Sequence, residues 1–181
     1  MIICWSAKGG SGTTVVACAL ALVLGRVRPT LLVDLAGDAP ATLGIADPAG
    51  PGLSDWAMSD VGDVAALGRL STHVPDSTHL ASRGSTPVPA DRLTRLFDAL
   101  SAIDGEVVVD AGLGVPPADI GAGHTSLLVV RPCYLALRRV VTAGVTPSAV
   151  VVVHEPGRAL TPKDISRAVG APVVAEVPFD P

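Results

Sequence analysis

The chain has 181 residues, a formal net charge of −4, and 49% hydrophobic against 17% charged residues. That length fits one domain over residues 1–181, at roughly 100 to 200 residues per domain. The apolar content excludes disorder over most of the chain, and the acidic balance excludes a general attraction to nucleic acid or anionic membrane.

In chain order, Met1 to Trp5 reads as a strand, followed by a Gly/Ser/Thr loop and an apolar helix from about Thr14 to Leu24 that Gly25 stops. A helix apolar all round is expected to be packed into protein on most sides. The run Val15 to Leu24 is about half of what a bilayer-spanning helix needs, and the loop before it sits where a signal peptide's n-region would join. Thr30 to Val33 reads as a strand, Ala36 to Gly52 as loop, Thr78 to Ala81 as a strand and Gly84 to Pro89 as a second loop. Leu93, Leu96, Phe97, Leu100 and Ile103 mark one buried helical stripe entered through Asp91. Strands follow at Glu106 to Val109, Ser126 to Val130 and Ala149 to Val153. A helix then opens at Thr161, where Asp164 completes a capping box, Pro162 suits the first helical position and Gly170 ends it; Val173 to Val177 is the last strand. Continuous Val/Leu/Ile strands alternating with helices predict a doubly wound, mostly parallel β-sheet with helices on both faces.

The stretch Ala7-Lys8-Gly9-Gly10-Ser11-Gly12-Thr13-Thr14 lies between the first strand and the first helix. Glycines let backbone amides curl around an anion, and the helix N-terminus adds partial positive charge, so phosphate is the natural guest. Three readings compete. One is a tight turn that uses glycine for geometry alone. Another is a dinucleotide fingerprint with Asp34 as the ribose acid, broken because Val15 stands at the third glycine. The third is a P-loop in which Ala7 replaces the first glycine and Thr13 the lysine that reaches the β- and γ-phosphates. Lys8 and the strand Val107-Val108-Val109-Asp110, which reads as a Walker B acid near Mg²⁺, favour the P-loop; the alternative for Asp110 is a loop-capping carboxylate.

With these residues the sequence resembles the ParA/MinD family of deviant Walker A ATPases, whose pattern K-G-G-x-G-K-[ST]-T stands here as KGGSGTTV. The likeness extends to LLVDLAGDAPATLG, VVVDAGLG, SLLVVRPCYLALRR and VGAPVVAEVPFD, and so to nearly the whole chain. Within the family it is most similar to the MinD-like proteins of pilus assembly, the TadZ/CpaE type, through the turn His79-Leu80-Ala81-Ser82-Arg83-Gly84. The resemblance implies ATP or ADP with Mg²⁺ as cofactors. It places Lys8 and Gly9, Gly10, Ser11, Gly12 and Thr13 on the phosphates, with Lys8 crossing to a partner subunit in a homodimer. It places Thr14 and Asp110 at the metal, with Asp34 beside them as a further strand-end acid. Lys8, Asp34 and Asp110 are thus the candidate catalytic residues.

Three family positions differ: Thr13 replaces the P-loop lysine, Ala36 the second Asp of the D-x-D switch, and His154 the Asn near adenine. A hydrogen bond to a charged group is worth about 1.5–3 kcal/mol, so losing the lysine weakens binding roughly ten- to a hundredfold without abolishing it. Removing a preorganised stabiliser of transition-state charge costs about 10²–10³ in rate, so ATP hydrolysis is expected to be slow or absent. The expected role is spatial positioning of a cytoplasmic assembly, a pilus or secretion apparatus or a division site, with a protein partner from that machinery. No specific nucleic acid is expected, and without a basic amphipathic tail any membrane association is indirect. The alternatives are a pseudo-ATPase scaffold that binds no nucleotide and a small-molecule ligase of the dethiobiotin-synthetase type.

Other residues carry less. His73, His79, His124 and His154 lack metal-pair spacing. Trp56 reads equally as a core anchor or an interface aromatic, and Arg138-Arg139 as a solvated helix end. Cys4, Cys18 and Cys133 form no C-x-x-C pair, which fits a reduced compartment, and Cys133 has no evident activating base.

Overall fold

The computed structural model describes residues 1–59, 62–114, 116 and 123–178. Phe179 and Asp180, which end the last of the resembling stretches, lie outside the described residues. The elements are β1 (Ile2–Ser6), α1 (Thr13–Gly25), β2 (Thr30–Asp34), α2 (Ala39–Thr42), α3 (Leu53–Met58), α4 (Val64–Leu70), β3 (Thr72–Val74), β4 (Thr78–Ala81), a 3-10 turn (Ala90–Arg92), α5 (Leu93–Ser101), β5 (Glu106–Leu113), β6 (Thr125–Val130), α6 (Tyr134–Ala143), β7 (Ala149–Val153), α7 (Pro162–Val169) and β8 (Val173–Val177). The strand order is β3-β4-β2-β5-β1-β6-β7-β8. By contacts the chain forms two units, one of Met1 with Thr14–Asp110, the other of Ile2–Thr13 with Ala111–Pro181; each is taken by itself.

In the first unit β2 pairs in parallel with β4 and with β5, and Asp34 stands in register with Asp110. All five residues of β2 are buried, which is why the strand reads as an unbroken apolar run rather than an alternation. β3 joins β4 antiparallel through a turn in which Asp76 takes φ 62°, a conformation Asp tolerates better than most residues. Three residues, two of them exposed, leave no pattern to read, so β3 escaped the sequence. Helices α3 and α4 did too, because six and seven residues are too few for a full stripe, and α2 forms a single turn within the segment expected to be loop. The structure settles Trp56 as a core residue, 4% exposed. Its Nε1 donates to the Asp63 carbonyl at 3.0 Å, and the Arg95 guanidinium lies 5.0 Å from its ring centroid, a cation–π stack.

Helix α1 leaves one row uncovered. Ala17, Cys18 and Ala21 are buried, but Val15 and Val23 are 56% and 57% exposed, and Ala19 between them is exposed as well. Positions four apart share one helical row. The other residues of the helix are buried or half-buried, so α1 is covered on most sides, as expected, but leaves one row open that its apolar composition did not reveal.

In the second unit β1, β6, β7 and β8 run parallel. Trp5 and Ala7 pack with Leu128, Val130, Val150 and Val152 and with Leu137 and Val140 of α6 and Ile165 and Val169 of α7. The buried indole of Trp5 donates to Ser126 Oγ at 2.8 Å, as a buried polar tip requires. Helix α7 starts as read: Thr161 Oγ1 accepts the Asp164 amide, Asp164 accepts the Thr161 amide, and Gly170 closes the helix in the left-handed conformation.

Candidate functional site

The loop between β1 and α1 is built by its own short-range bonds. Ser11 Oγ donates to the Lys8 carbonyl at 2.6 Å, and Ser6 Oγ donates to the same carbonyl and to that of Gly112. Gly10 and Gly12 take φ 74° and 90°, where a side chain would be strained, and the Cα of Gly12 faces Val153. A Cβ on Gly9 or Gly10 would meet only open space, and both residues are exposed. Among the described residues no acceptor meets the amides of Gly9, Gly10 or Gly12. Outward glycines with uncommitted amides, followed by a helix N-terminus, fit an anion. Lys8 is half-buried, Thr13 is buried and Thr14, the next residue of α1, is half-buried.

Within the first unit, Asp34 and Asp110 end or interrupt neighbouring parallel strands and are both fully buried. Both act on Cys18: burial first, then the Asp110 charge, then the Asp34 charge push its thiol up to about 12. Cys18 lies one turn along α1 from Thr14, so the two share one helical row. A threonine hydroxyl with two buried carboxylates is an oxygen donor set suited to Mg²⁺ or its waters.

Asp34 also has local work. Its Oδ1 accepts the Gly37 amide at 2.6 Å and its Oδ2 the Ala39 amide at 3.2 Å, closing the turn that leaves β2. Burial raises its carboxyl above the ordinary value; those two amides and the Arg83 charge oppose, while Asp38 adds to the rise. A cavity of about 310 Å³ opens beside it, lined among others by Asp47, Arg83 and Ser85.

Two arginines were not assigned this neighbourhood from sequence. Arg139 is not merely a solvated helix end: its Nη1 donates to the Ala7 carbonyl at the root of the glycine loop at 3.1 Å. Arg83 Nη1 donates to the Ala36 carbonyl. Cys133, at the start of α6, has its thiol lowered, first by the Ala136 amide and then by that of Leu135, with burial opposing and the Lys8 and Arg158 charges assisting. His154 Nε2 lies 2.7 Å from Glu176 Oε2, and His73 and His79 meet edge to face across the β3–β4 hairpin. Among the described residues no three His, Cys, Asp or Glu side chains form a group that could hold a metal ion.

No family model and no curated protein matches the sequence. Solved structures do. A ParA family ATPase from Chlorobium tepidum is 21% identical with a TM-score of 0.76, the match covering 99% of this chain and 83% of that one. The septum site-determining protein MinD of Pyrococcus horikoshii, complexed with Mg-ADP, is 19% identical with a TM-score of 0.73, covering 99% and 82%. The MinC:MinD cell division complex of Aquifex aeolicus gives 18% and 0.78, covering 99% and 81%. The chain therefore shares the mostly parallel α/β fold of the ParA and MinD ATPases.

Proposed function

We propose that this chain is a ParA/MinD-like protein that binds ATP or ADP with Mg²⁺ weakly, hydrolyses ATP slowly or not at all, and acts as a cytoplasmic dimer that positions an assembly. The pilus and secretion machinery of the TadZ/CpaE type, or a division site, is the setting the sequence favours, with a protein partner drawn from it. The observation that carries the reading is the glycine loop, whose amides at Gly9, Gly10 and Gly12 meet no acceptor among the described residues. Phosphate oxygens are assigned to Lys8 and to the backbone of Gly9 through Thr13. Mg²⁺, which would screen phosphate charge, is assigned to Thr14 and Asp110, with Asp34 on its waters. The Mg-ADP complex of the Pyrococcus protein supports this cofactor class, and the Aquifex complex supports a protein partner.

Thr13 and Ala36 bear on chemistry. A buried threonine brings no charge to the terminal phosphate, and alanine cannot orient a water. A second reading, a scaffold without nucleotide, is favoured by the occupation of both Asp34 oxygens by backbone amides. Calorimetric titration with ADP or ATP, with Mg²⁺ and with a chelator, separates the two. The proposal expects saturable, Mg²⁺-enhanced binding, negligible phosphate release, and an affinity raised roughly ten- to a hundredfold in Thr13→Lys. No heat for either nucleotide at millimolar concentration contradicts it.

A further inference from the structure

The turn after β2 is held by a residue from β4's exit. Arg83 donates from Nη1 to the Ala36 carbonyl, and its guanidinium covers Gly37 so closely that a Cβ there would clash with Cζ. Gly37, at φ 92°, delivers the amide that Asp34 Oδ1 accepts, and Ala39 delivers the one on Oδ2. Arg83 is itself fixed, because its carbonyl accepts the Ser54 amide and that of Ser82 accepts the Leu53 amide, both at 2.9 Å. Its Nε is buried with no acceptor among the described residues. Such a donor costs stability, so the guanidinium is not placed where its own hydrogen bonding would be best. Its placement serves the turn.

We propose that Arg83 is a positioning residue for Asp34. By gripping Ala36 and capping Gly37 it fixes the turn whose two amides orient the Asp34 carboxylate, and so sets how that carboxylate serves the hydration shell of a bound Mg²⁺. The metal role rests on the nucleotide reading above; the hold on the turn does not. Arg83 stands 47 residues from Ala36, so one side chain couples the loop Ala36–Gly52 to the segment Ser82–Gly84.

Arg83→Ala and Arg83→Lys test this in the full chain. Lysine keeps the charge and one donor but cannot lie flat over Gly37, and it carries the test if the alanine variant fails to fold. In the ligand-free protein, amide exchange at Gly37 and Ala39 is expected to accelerate in both variants, while the amides of α7 stay as in wild type. ADP affinity in chelator is expected to remain within about twofold of wild type. The extra affinity conferred by Mg²⁺ is expected to fall measurably, by at most the roughly 10- to 100-fold that losing an outer-shell partner itself costs. Unchanged exchange at Gly37 and Ala39 overturns the positioning role. Accelerated exchange with an intact Mg²⁺ gain overturns its link to the metal. A wild-type protein that gains nothing from Mg²⁺ overturns the parent nucleotide reading instead.

Discussion

Two cysteines in this chain take opposite characters from their surroundings. Cys18 is buried beside Asp34 and Asp110, and its thiol is pushed up to about 12; Cys133 is half-buried at a helix start, and amides and nearby cations lower it from 9.0. Since the thiolate is the reactive form, iodoacetamide at neutral pH is expected to modify Cys133 well before Cys18 or Cys4, as read by peptide mass spectrometry. Equal labelling of Cys18 in the folded protein contradicts these environments. Lys8, Asp34 and Asp110 could be singled out as candidates because each belongs to a short local motif: a glycine run, or a strand followed by an acid. Arg83 and Arg139 were not, since the carbonyls they grip lie 47 and 132 residues away, and no local pattern announces a partner at that range. The character of Cys133 was missed for another reason: the Ala136 amide first, then that of Leu135, lower its thiol only once α6 has formed beside it, and the charges of Lys8 and Arg158 add to this through the fold.

Elements were legible where a period or a cap repeats within a few residues. Leu96, Phe97 and Leu100 are buried on α5 as the stripe predicts, although entry is through a 3-10 turn at Ala90–Arg92. Helix α7 begins at its capping box, and that box has a pH signature. The Thr161 hydroxyl first, then its amide, hold the Asp164 carboxyl below the ordinary 3.8. A carboxyl depressed in the folded state contributes stability that is complete above 3.8 and disappears as pH falls through the depressed value. Thr161→Ala is therefore expected to destabilise the protein at neutral pH, with the gap to wild type narrowing in strong acid. Urea unfolding at neutral and strongly acid pH checks this; a gap independent of pH contradicts it. Elements built from too few residues, such as β3, were missed, and composition alone did not show which row of α1 stays exposed. What decides them is which neighbour covers which side, and sequence spacing does not carry that.

At the scale of each unit, the unbroken apolar strands pair in parallel, and parallel pairing brings carboxyl ends of strands to one side, where loops can cradle ligands. No helix among the described residues is long and apolar enough to cross a membrane. The central claim is that the backbone of Gly9 to Thr13 holds phosphate although Thr13 supplies no cation. Glycine-selective nitrogen labelling with amide NMR, titrating Mg²⁺ and ADP into the full chain, tests that claim most directly. The account predicts that the amides of Gly9, Gly10 and Gly12 shift furthest and become protected from exchange. Saturable shifts that spare these three while moving glycines elsewhere, Gly144 or Gly170 for example, would contradict it.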